Sequence, residues 1–139
     1  MTINVEIVTP ERRVLLTQAD SVVVPAADGE LGILAEHTPL VAQLQPGEIR
    51  LRLGNDLQVF AVSGGFVEVQ KNHVMVMAET AEMAHEIDAE RARQAVERAK
   101  AELRAPTGAV DMAQAEGALR RALARLHAVE SVRRRQTPH

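Results

Sequence analysis

The residues that could perform acid–base chemistry gather around one histidine in the first third of the chain. His37 lies close in sequence to the carboxylates of Asp28, Glu30 and Glu36, and imidazole and carboxylate groups are common proton-transfer groups. A hydrolase would also need a nucleophile or a metal, but Ser63 lies in no recognisable nucleophile elbow, and no spacing of His, Asp and Glu is typical of a metal site. No glycine-rich loop followed by Lys-Ser or Lys-Thr is present, so an ATPase site of that type is excluded. We therefore predict that His37 is a loop residue that satisfies backbone groups or contacts a partner.

Positive charge is concentrated at the C-terminal end. Residues 120–139 contain six arginines and one glutamate, whereas the whole chain of 139 residues has a formal net charge of −3. This distribution favours an acidic partner surface for the C-terminal segment, and the alternative is a solvated helix face that ends in a basic tail. Nucleic acid is a poor candidate for the partner, because the rest of the chain is acidic and only 1% of its residues are aromatic.

The elements that would position these residues change in type near residue 86. Alternation of apolar and polar residues predicts strands near 3–8, 12–17, 20–25, 31–34, 41–44, 48–53, 57–62, 66–70 and 74–78. Turn-forming pairs such as Asp28-Gly29 and Pro46-Gly47 separate them. Short strands at this spacing are typical of an antiparallel sandwich.

Two helices are predicted after these strands. Asp88 is a suitable N-cap for the first helix, and Pro106 and Gly108 are expected to end it and turn the chain. Apolar residues recur at helical spacing at Ala92, Ala95, Val96, Ala99 and Leu103, and again at Ala115, Leu119, Ala122, Leu126 and Val129. Two such stripes predict an antiparallel hairpin, and because alanine buries little area the hairpin should be marginally stable and open to competition.

Composition fits one small domain with an appendage. Apolar residues make up 46% of the chain, so it can form a core, and the absence of cysteine excludes disulfides and thiolate metal sites. The chain has neither a signal-like leader nor an apolar run of about 18 residues. We therefore expect it to reach a membrane only through partners.

Five segments resemble, in the same order, the epsilon subunit of the bacterial F-type ATP synthase. They are Asp28–Leu34, His37–Leu40, Gln45–Gly47, Ser63–Val69 and Arg121–Glu130. The resemblance implies an all-β sandwich of about ten strands over residues 1–85, followed by a C-terminal antiparallel α-helical hairpin over residues 86–139. One departure is that Ala35-Glu36 precedes His37 where the family usually has Pro-Gly, so the local turn is expected to differ.

The resemblance also implies a function in the central stalk of the proton-translocating ATP synthase. The sandwich would dock on the gamma subunit and the c-subunit ring, at the cytoplasmic face of the bacterial inner membrane. The helices would lie folded on the sandwich, as expected for an isolated chain, or extend along gamma into the head of alpha and beta subunits and inhibit ATP hydrolysis. The chain itself would be non-catalytic. The alternative is a stand-alone ATP-sensing module, which binding to gamma would distinguish.

A regulatory nucleotide site is implied by one motif. Ile87-Asp88-Ala89-Glu90-Arg91-Ala92 matches the ATP-binding motif of the family, and the carried-over positions are Glu82, Ile87, Asp88, Arg91, Ala92, Arg98, Arg121 and Arg125. Arg91 and Arg98 lie two helical turns apart, so only a folded hairpin could bring them to the arginines of the second helix and hold a polyphosphate. The alternative is that Asp88 is only a helix cap and the arginines face solvent. If the motif does hold nucleotide, ATP would be a regulatory ligand rather than a required cofactor.

The same arginines have a competing use. In the family, basic residues of the second helix meet an acidic segment of the beta subunit when the helices extend. Here Arg120, Arg121 and Arg125 are the corresponding candidates, and His37 is a further candidate for partner contact on the sandwich. Since one guanidinium cannot serve ATP and beta at once, the two states would exclude each other.

Overall fold

The computed structural model of the chain describes residues 1–104 and 109–136, and among them gives the side-chain surroundings of all but 109–111 and 133–136. Within these residues the strands are β1 (Ile3–Val8), β2 (Arg13–Ala19), β3 (Ser21–Ala26), β4 (Gly29–Leu34), β5 (Leu40–Leu44), β6 (Gly47–Leu53), β7 (Asp56–Val62), β8 (Gly65–Gln70), β9 (His73–Ala78) and β10 (Ala81–Met83). A 3-10 turn at Ala84–Glu86 leads to the helices α1 (Ala89–Arg104) and α2 (Ala109–Gln136). The predicted β-sandwich followed by C-terminal helices is confirmed, whereas the predicted turn at Pro106 and Gly108 lies outside the described residues.

The strands form one hydrogen-bonded sheet that folds into two layers. One layer contains β10, β7, β6 and β3, with β4 beside β3, and the other contains β5, β8, β9, β1 and β2. Pairing of Ala26 with Leu44 joins the layers. The purely antiparallel prediction is wrong at one place, because β1 pairs with β9 in parallel. No hairpin connects these two strands, so turn geometry does not impose an antiparallel direction on them.

The core lies between the two layers and is built from branched aliphatic side chains. Strand alternation turns residues such as Val5, Val22, Val67 and Val76 inward, where they are fully buried. Phe60 is the aromatic residue of this core, whereas Phe66 points outward and is 52% exposed.

Strand β10 has no counterpart in the sequence-based prediction. Its three residues pair with β7, with Glu82 opposite Ala61. A segment of three residues is too short to display alternation, so only its pairing with β7 reveals it. This strand matters because it carries Glu82 to the edge of the layer that the helices cover.

The two helices, here called the arm, pack against each other, and α2 packs on the outer face of β6 and β7. Ala92, Val96 and Ala99 of α1 are buried as the predicted stripe requires, and Ala115, Ala122 and Val129 of α2 are buried too. The structure adds a second buried stripe on α2, which consists of Ala124, Ala128 and Ser131. The helix α2 is therefore buried on two sides, against α1 and against the sandwich, and the single predicted stripe was incomplete.

Small side chains form the contact between arm and sandwich. One cluster joins Val59 and Ala61 of β7 to Ile87, Ala92 and Ala128, which are all buried. Alanine permits close approach of the backbones but removes little apolar area from water. The arm is thus folded onto the sandwich by an interface of modest hydrophobic content.

Candidate functional site

A cavity of about 350 Å³ lies where the arm meets the edge of the sandwich. Its lining residues are Ala61, Val62, Ser63, Glu79, Thr80, Glu82, Arg121 and Arg125. The two arginines come from α2, and the other residues come from β7, β10 and the connections next to them. The cavity therefore exists in this form only while the arm is folded.

An ion pair connects the arm to the sandwich at this cavity. Arg125 donates from Nε to Glu82 Oε1 at 2.9 Å and from Nη2 to Glu82 Oε2 at 3.2 Å. The two side chains are 36% and 42% exposed, so water screens the pair in part. Parallel contacts of this kind fix the orientation of a guanidinium as well as its position.

Two hydroxyl groups meet on another wall of the cavity. Thr80 Oγ1 lies 2.8 Å from Ser63 Oγ, and the backbone N–H of Thr80 donates to the same Ser63 oxygen at 3.0 Å. The backbone N–H of Ser63 in turn donates to the carbonyl oxygen of Thr80 at 3.3 Å. These bonds hold the connection after β7 against the connection before β10.

Three of the sequence-predicted nucleotide residues, Glu82, Arg121 and Arg125, line the cavity. Arg91 and Arg98 are exposed on α1 and are not among the described lining residues. The folded arm thus brings two of the four predicted arginines to this cavity.

The other residues of the motif have structural roles. Asp88 Oδ1 accepts a hydrogen bond from the backbone N–H of Arg91 at 3.1 Å, which is the N-cap contact predicted for the first helix. Ile87 and Ala92 are buried in the cluster between arm and sandwich. All three residues therefore help to start α1 and to seat it on the sandwich.

Sequence reasoning missed Ser63, Thr80 and Glu79 as cavity residues. Ser63 and Thr80 are 17 positions apart and meet only because β10 pairs with β7. Predicting that β10 pairs with β7 would have placed Thr80 next to Ser63. The sequence did not allow that prediction because β10 has only three residues.

A second cavity, of about 550 Å³, lies along a different face of α2. Among its lining residues are Glu30, Glu48, Arg50, Arg120 and His127. Burial alone would lower the pKa of Arg50, but its hydrogen bonds to Glu48 and Glu30 outweigh that effect and raise the pKa. Arg50 therefore pairs with both carboxylates of this cavity, whereas the buried Oε2 atom of Glu48 has no hydrogen-bond partner among the described residues. Arg120 donates weakly to Gln45 Oε1 at 3.4 Å.

His37 lies in the loop between β4 and β5 and is half-buried. Its Nδ1 lies 2.7 Å from the carbonyl oxygen of Thr38, and its backbone N–H donates to Leu34 at 3.2 Å. Glu30, one of the acids near it in sequence, is instead paired with Arg50. The contacts of His37 are those of a loop residue and assemble no catalytic pair.

The turn before His37 has an unusual backbone. Glu36 adopts a φ of 67°, a left-handed conformation that favours glycine. The side-chain oxygen of Asn72 accepts the backbone N–H of Glu36 at 2.7 Å and helps to hold this conformation. The chain therefore retains a glycine-type turn with a glutamate in it, at the position where the sequence departs from the Pro-Gly pattern.

An apolar patch lies on the outer face of the layer that the arm does not cover. It consists of Val41, Phe66 and Met77, which are 68%, 52% and 38% exposed. Phe66 and Met77 are direct partners on β8 and β9, and Val41 lies on β5 opposite Glu68. Large apolar groups that adjoin on an open sheet face are typical of a protein contact surface.

In the described part of the chain, no helix has an apolar stretch of the length that a bilayer crossing needs. Over the same residues, His, Asp and Glu form no group of three or more that could hold a metal ion.

Comparison with known proteins accounts for both parts of this architecture. The beta-sandwich domain of the ATP synthase delta/epsilon chain matches residues 2–84, and the long alpha-helix domain of the same chain matches residues 85–130. The ATP synthase epsilon chain of Moorella thermoacetica is 48% identical over 131 residues, which cover 94% of this chain and 98% of the relative. The epsilon chain of Desulforamulus reducens is 46% identical, with 91% and 96% covered.

Solved structures agree with these relatives. A chain of the Euglena gracilis mitochondrial ATP synthase, solved with its c-ring, superposes with a TM-score of 0.81 at 26% identity, and covers 94% of this chain and 81% of that one. A central-stalk and c-ring structure from Tetrahymena thermophila shares the fold, with a TM-score of 0.61 at 16% identity over 93% and 97% of the two chains. Because the sandwich and the helices both match, in order and over nearly the whole length, this chain belongs to the family of ATP synthase delta/epsilon chains.

Proposed function

We propose that the chain is a non-catalytic rotor subunit in the central stalk of a bacterial proton-translocating ATP synthase. The observation that carries the proposal is the end-to-end similarity to epsilon chains, in both the sandwich and the helices. The complex would hold the subunit at the cytoplasmic face of the inner membrane. A stand-alone ATP sensor is not favoured, because the relatives are subunits of a complex.

The outer apolar patch is the proposed docking surface for the gamma subunit and the c-ring. It lies on the layer opposite the arm, so a partner could bind it without displacing α1 or α2. Full burial of an exposed side chain of this size contributes about 1.5–3 kcal/mol, so burying the exposed part of Val41, Phe66 and Met77 would contribute a fraction of that for each. His37 lies in the loop that precedes β5, which carries Val41, and is a further candidate contact.

A pull-down with purified gamma subunit tests this docking. The Phe66→Ser/Met77→Ser variant should lose binding, because it removes the paired apolar side chains of the patch. Leu53→Ser is the matched control, since Leu53 is an exposed apolar residue in the other layer. Failure of the unaltered chain to bind gamma would refute the rotor assignment.

The cavity is the proposed site of a regulatory ATP. Its arginines, Arg121 and Arg125, can donate to phosphate oxygens, and Glu82 can accept from the amino group of adenine. Because both sandwich and arm line the cavity, nucleotide would stabilise the folded arm. Saturation at 100 times Kd would contribute about 2.7 kcal/mol to that state.

Calorimetric titration of the isolated chain with Mg-free ATP tests the site. Arg125→Ala should abolish saturable binding, whereas Arg104→Ala, an exposed arginine of α1 outside the described lining, should leave it unchanged. Arg91→Ala then distinguishes the cavity from the full sequence motif: little effect is expected, since Arg91 does not line the cavity. Absence of binding at millimolar ATP would refute the nucleotide site and leave the rotor assignment standing.

The arm is proposed to inhibit ATP hydrolysis when it extends toward the alpha and beta subunits. In that state Arg120, Arg121 and Arg125 would contact an acidic segment of beta, and Arg125 would have to leave Glu82. In a reconstituted complex, Arg121→Ala/Arg125→Ala should weaken inhibition. Unchanged hydrolysis would contradict this role of the two arginines.

A further inference from the structure

The Ser63–Thr80 pair has one more hydroxyl proton than its own bonds use. The two side chains together carry two O–H groups, and the 2.8 Å contact between their oxygens consumes one proton, whichever hydroxyl donates. The backbone N–H of Thr80 occupies a further acceptor position on Ser63 Oγ at 3.0 Å. Among the described residues, the remaining O–H makes no hydrogen bond to another protein group. The pair therefore offers a donor at the wall of the cavity.

Other donors line the same cavity. Arg125 uses Nε and Nη2 on Glu82, which leaves the N–H groups of Nη1 free of that carboxylate. Arg121 also lines the cavity, and it makes no ion pair with a described carboxylate. The carboxylates of Glu79 and Glu82 supply only acceptors. A ligand with an anionic group and a separate amino group fits this cavity. The anionic group would accept from the arginines, and the amino group would donate to the glutamates.

We propose that the Ser63–Thr80 hydroxyl pair contacts the ligand of this cavity and donates its remaining O–H to an oxygen of the phosphate group that Arg121 and Arg125 hold. The proposal rests on the proposed nucleotide site and adds to it a contact from the sandwich. Since Ser63 lies on the sandwich and the arginines lie on α2, a phosphate bound by both would bridge the two parts directly. Nucleotide would then clamp the arm to the body of the protein.

Calorimetric titration of three chains with ATP and with adenosine tests the contact. Ser63→Ala/Thr80→Val removes both hydroxyls and should weaken ATP binding about tenfold, as expected for a lost hydrogen bond to a charged group. Ser63→Thr keeps a hydroxyl at the same place and should bind ATP like the unaltered chain. Adenosine has no phosphate, so its affinity should be the same for all three chains.

The outcomes separate this contact from the nucleotide site itself. If the unaltered chain binds no ATP at millimolar concentration, the nucleotide site is refuted and the contact with it. If the unaltered chain binds ATP and the double variant binds it equally well, only the hydroxyl contact is overturned. An equal loss for ATP and adenosine would also overturn it, because the pair would then act on the fold or on the nucleoside. Should the double variant not fold, Ser63→Ala/Thr80→Ala removes the same two hydroxyls without a branched side chain at position 80 and gives the same test.

Discussion

The ion pair between Arg125 and Glu82 should act as a latch that holds the folded arm without any nucleotide. Its two parallel contacts, at 2.9 Å and 3.2 Å, are near-ideal for a guanidinium and a carboxylate. Both side chains are more than a third exposed, so the pair belongs with surface ion pairs, which contribute about 0.2–1 kcal/mol. The good geometry places the latch near 1 kcal/mol, which corresponds to about a fivefold change in the ratio of folded to open arm.

Hydrogen exchange of the isolated chain without nucleotide measures this ratio. When the arm closes again faster than its open amides exchange, the exchange rate is proportional to the fraction of open arm. Amides that are exposed only by arm opening should therefore exchange about fivefold faster in Glu82→Gln. Amides of the sandwich core should keep the exchange rates of the unaltered chain. The matched control is Arg13→Gln, which breaks a 2.8 Å ion pair with Glu6 that lies within the sandwich. That variant should leave the arm unchanged.

A double-mutant cycle tests whether Glu82 and Arg125 stabilise the folded arm as a pair. Glu82→Gln and Arg125→Gln each remove the pair, so the combined variant should open the arm less than the sum of the two single effects, with a coupling near 1 kcal/mol. Additive effects would mean that the two side chains stabilise the arm independently. Arm exchange that stays at the rate of the unaltered chain in Glu82→Gln would show that the latch contributes nothing.

Five further substitutions, one of them a control, test the packing of the arm and the backbone of the sandwich. Ala128→Leu should overpack the buried contact of α2 with the sandwich by about 1–3 kcal/mol and expose the arm to protease, whereas Ala101→Leu on the exposed face of α1 should not. Gly117→Ala should stabilise the arm thermally by up to about 1 kcal/mol, because an added Cβ would meet only the tip of a flexible arginine at 3.2 Å. Gly65→Ala should prevent stable folding in denaturant titrations, because its φ is 134° and a Cβ would lie 2.0 Å from a backbone oxygen of β9. Glu36→Gly should raise the free energy of unfolding by about 1 kcal/mol by relieving a left-handed backbone, and a decrease would contradict that strain.

Local patterns in the sequence were sufficient for the strands and for the start of the first helix. Alternation located the main strands, and Asp88 makes the N-cap contact that its type and position predicted. Contacts between distant segments were not predictable in this way. The pairing that brings Thr80 to Ser63 depends on a strand of three residues, and the second buried stripe of α2 exists only because the sandwich lies beneath it. The positions of Arg91 and Arg98 relative to the cavity likewise depend on how the arm is seated.

The contact between arm and sandwich is weak, so single polar interactions can change the ratio of folded to open arm. Much of the cluster between arm and sandwich is alanine, for example Ala92 and Ala128, so the hydrophobic contribution is limited and small terms decide the position of the arm. The latch supplies about 1 kcal/mol by the reasoning for surface pairs, and saturating nucleotide would add about 2.7 kcal/mol. Because the latch already acts in the nucleotide-free chain, only the nucleotide term changes the ratio, and it is about half of the roughly 5.5 kcal/mol that converts a 1:99 mixture into 99:1. Nucleotide would therefore raise the population of the folded arm without making that state exclusive, and the contacts proposed for the extended arm would oppose this shift.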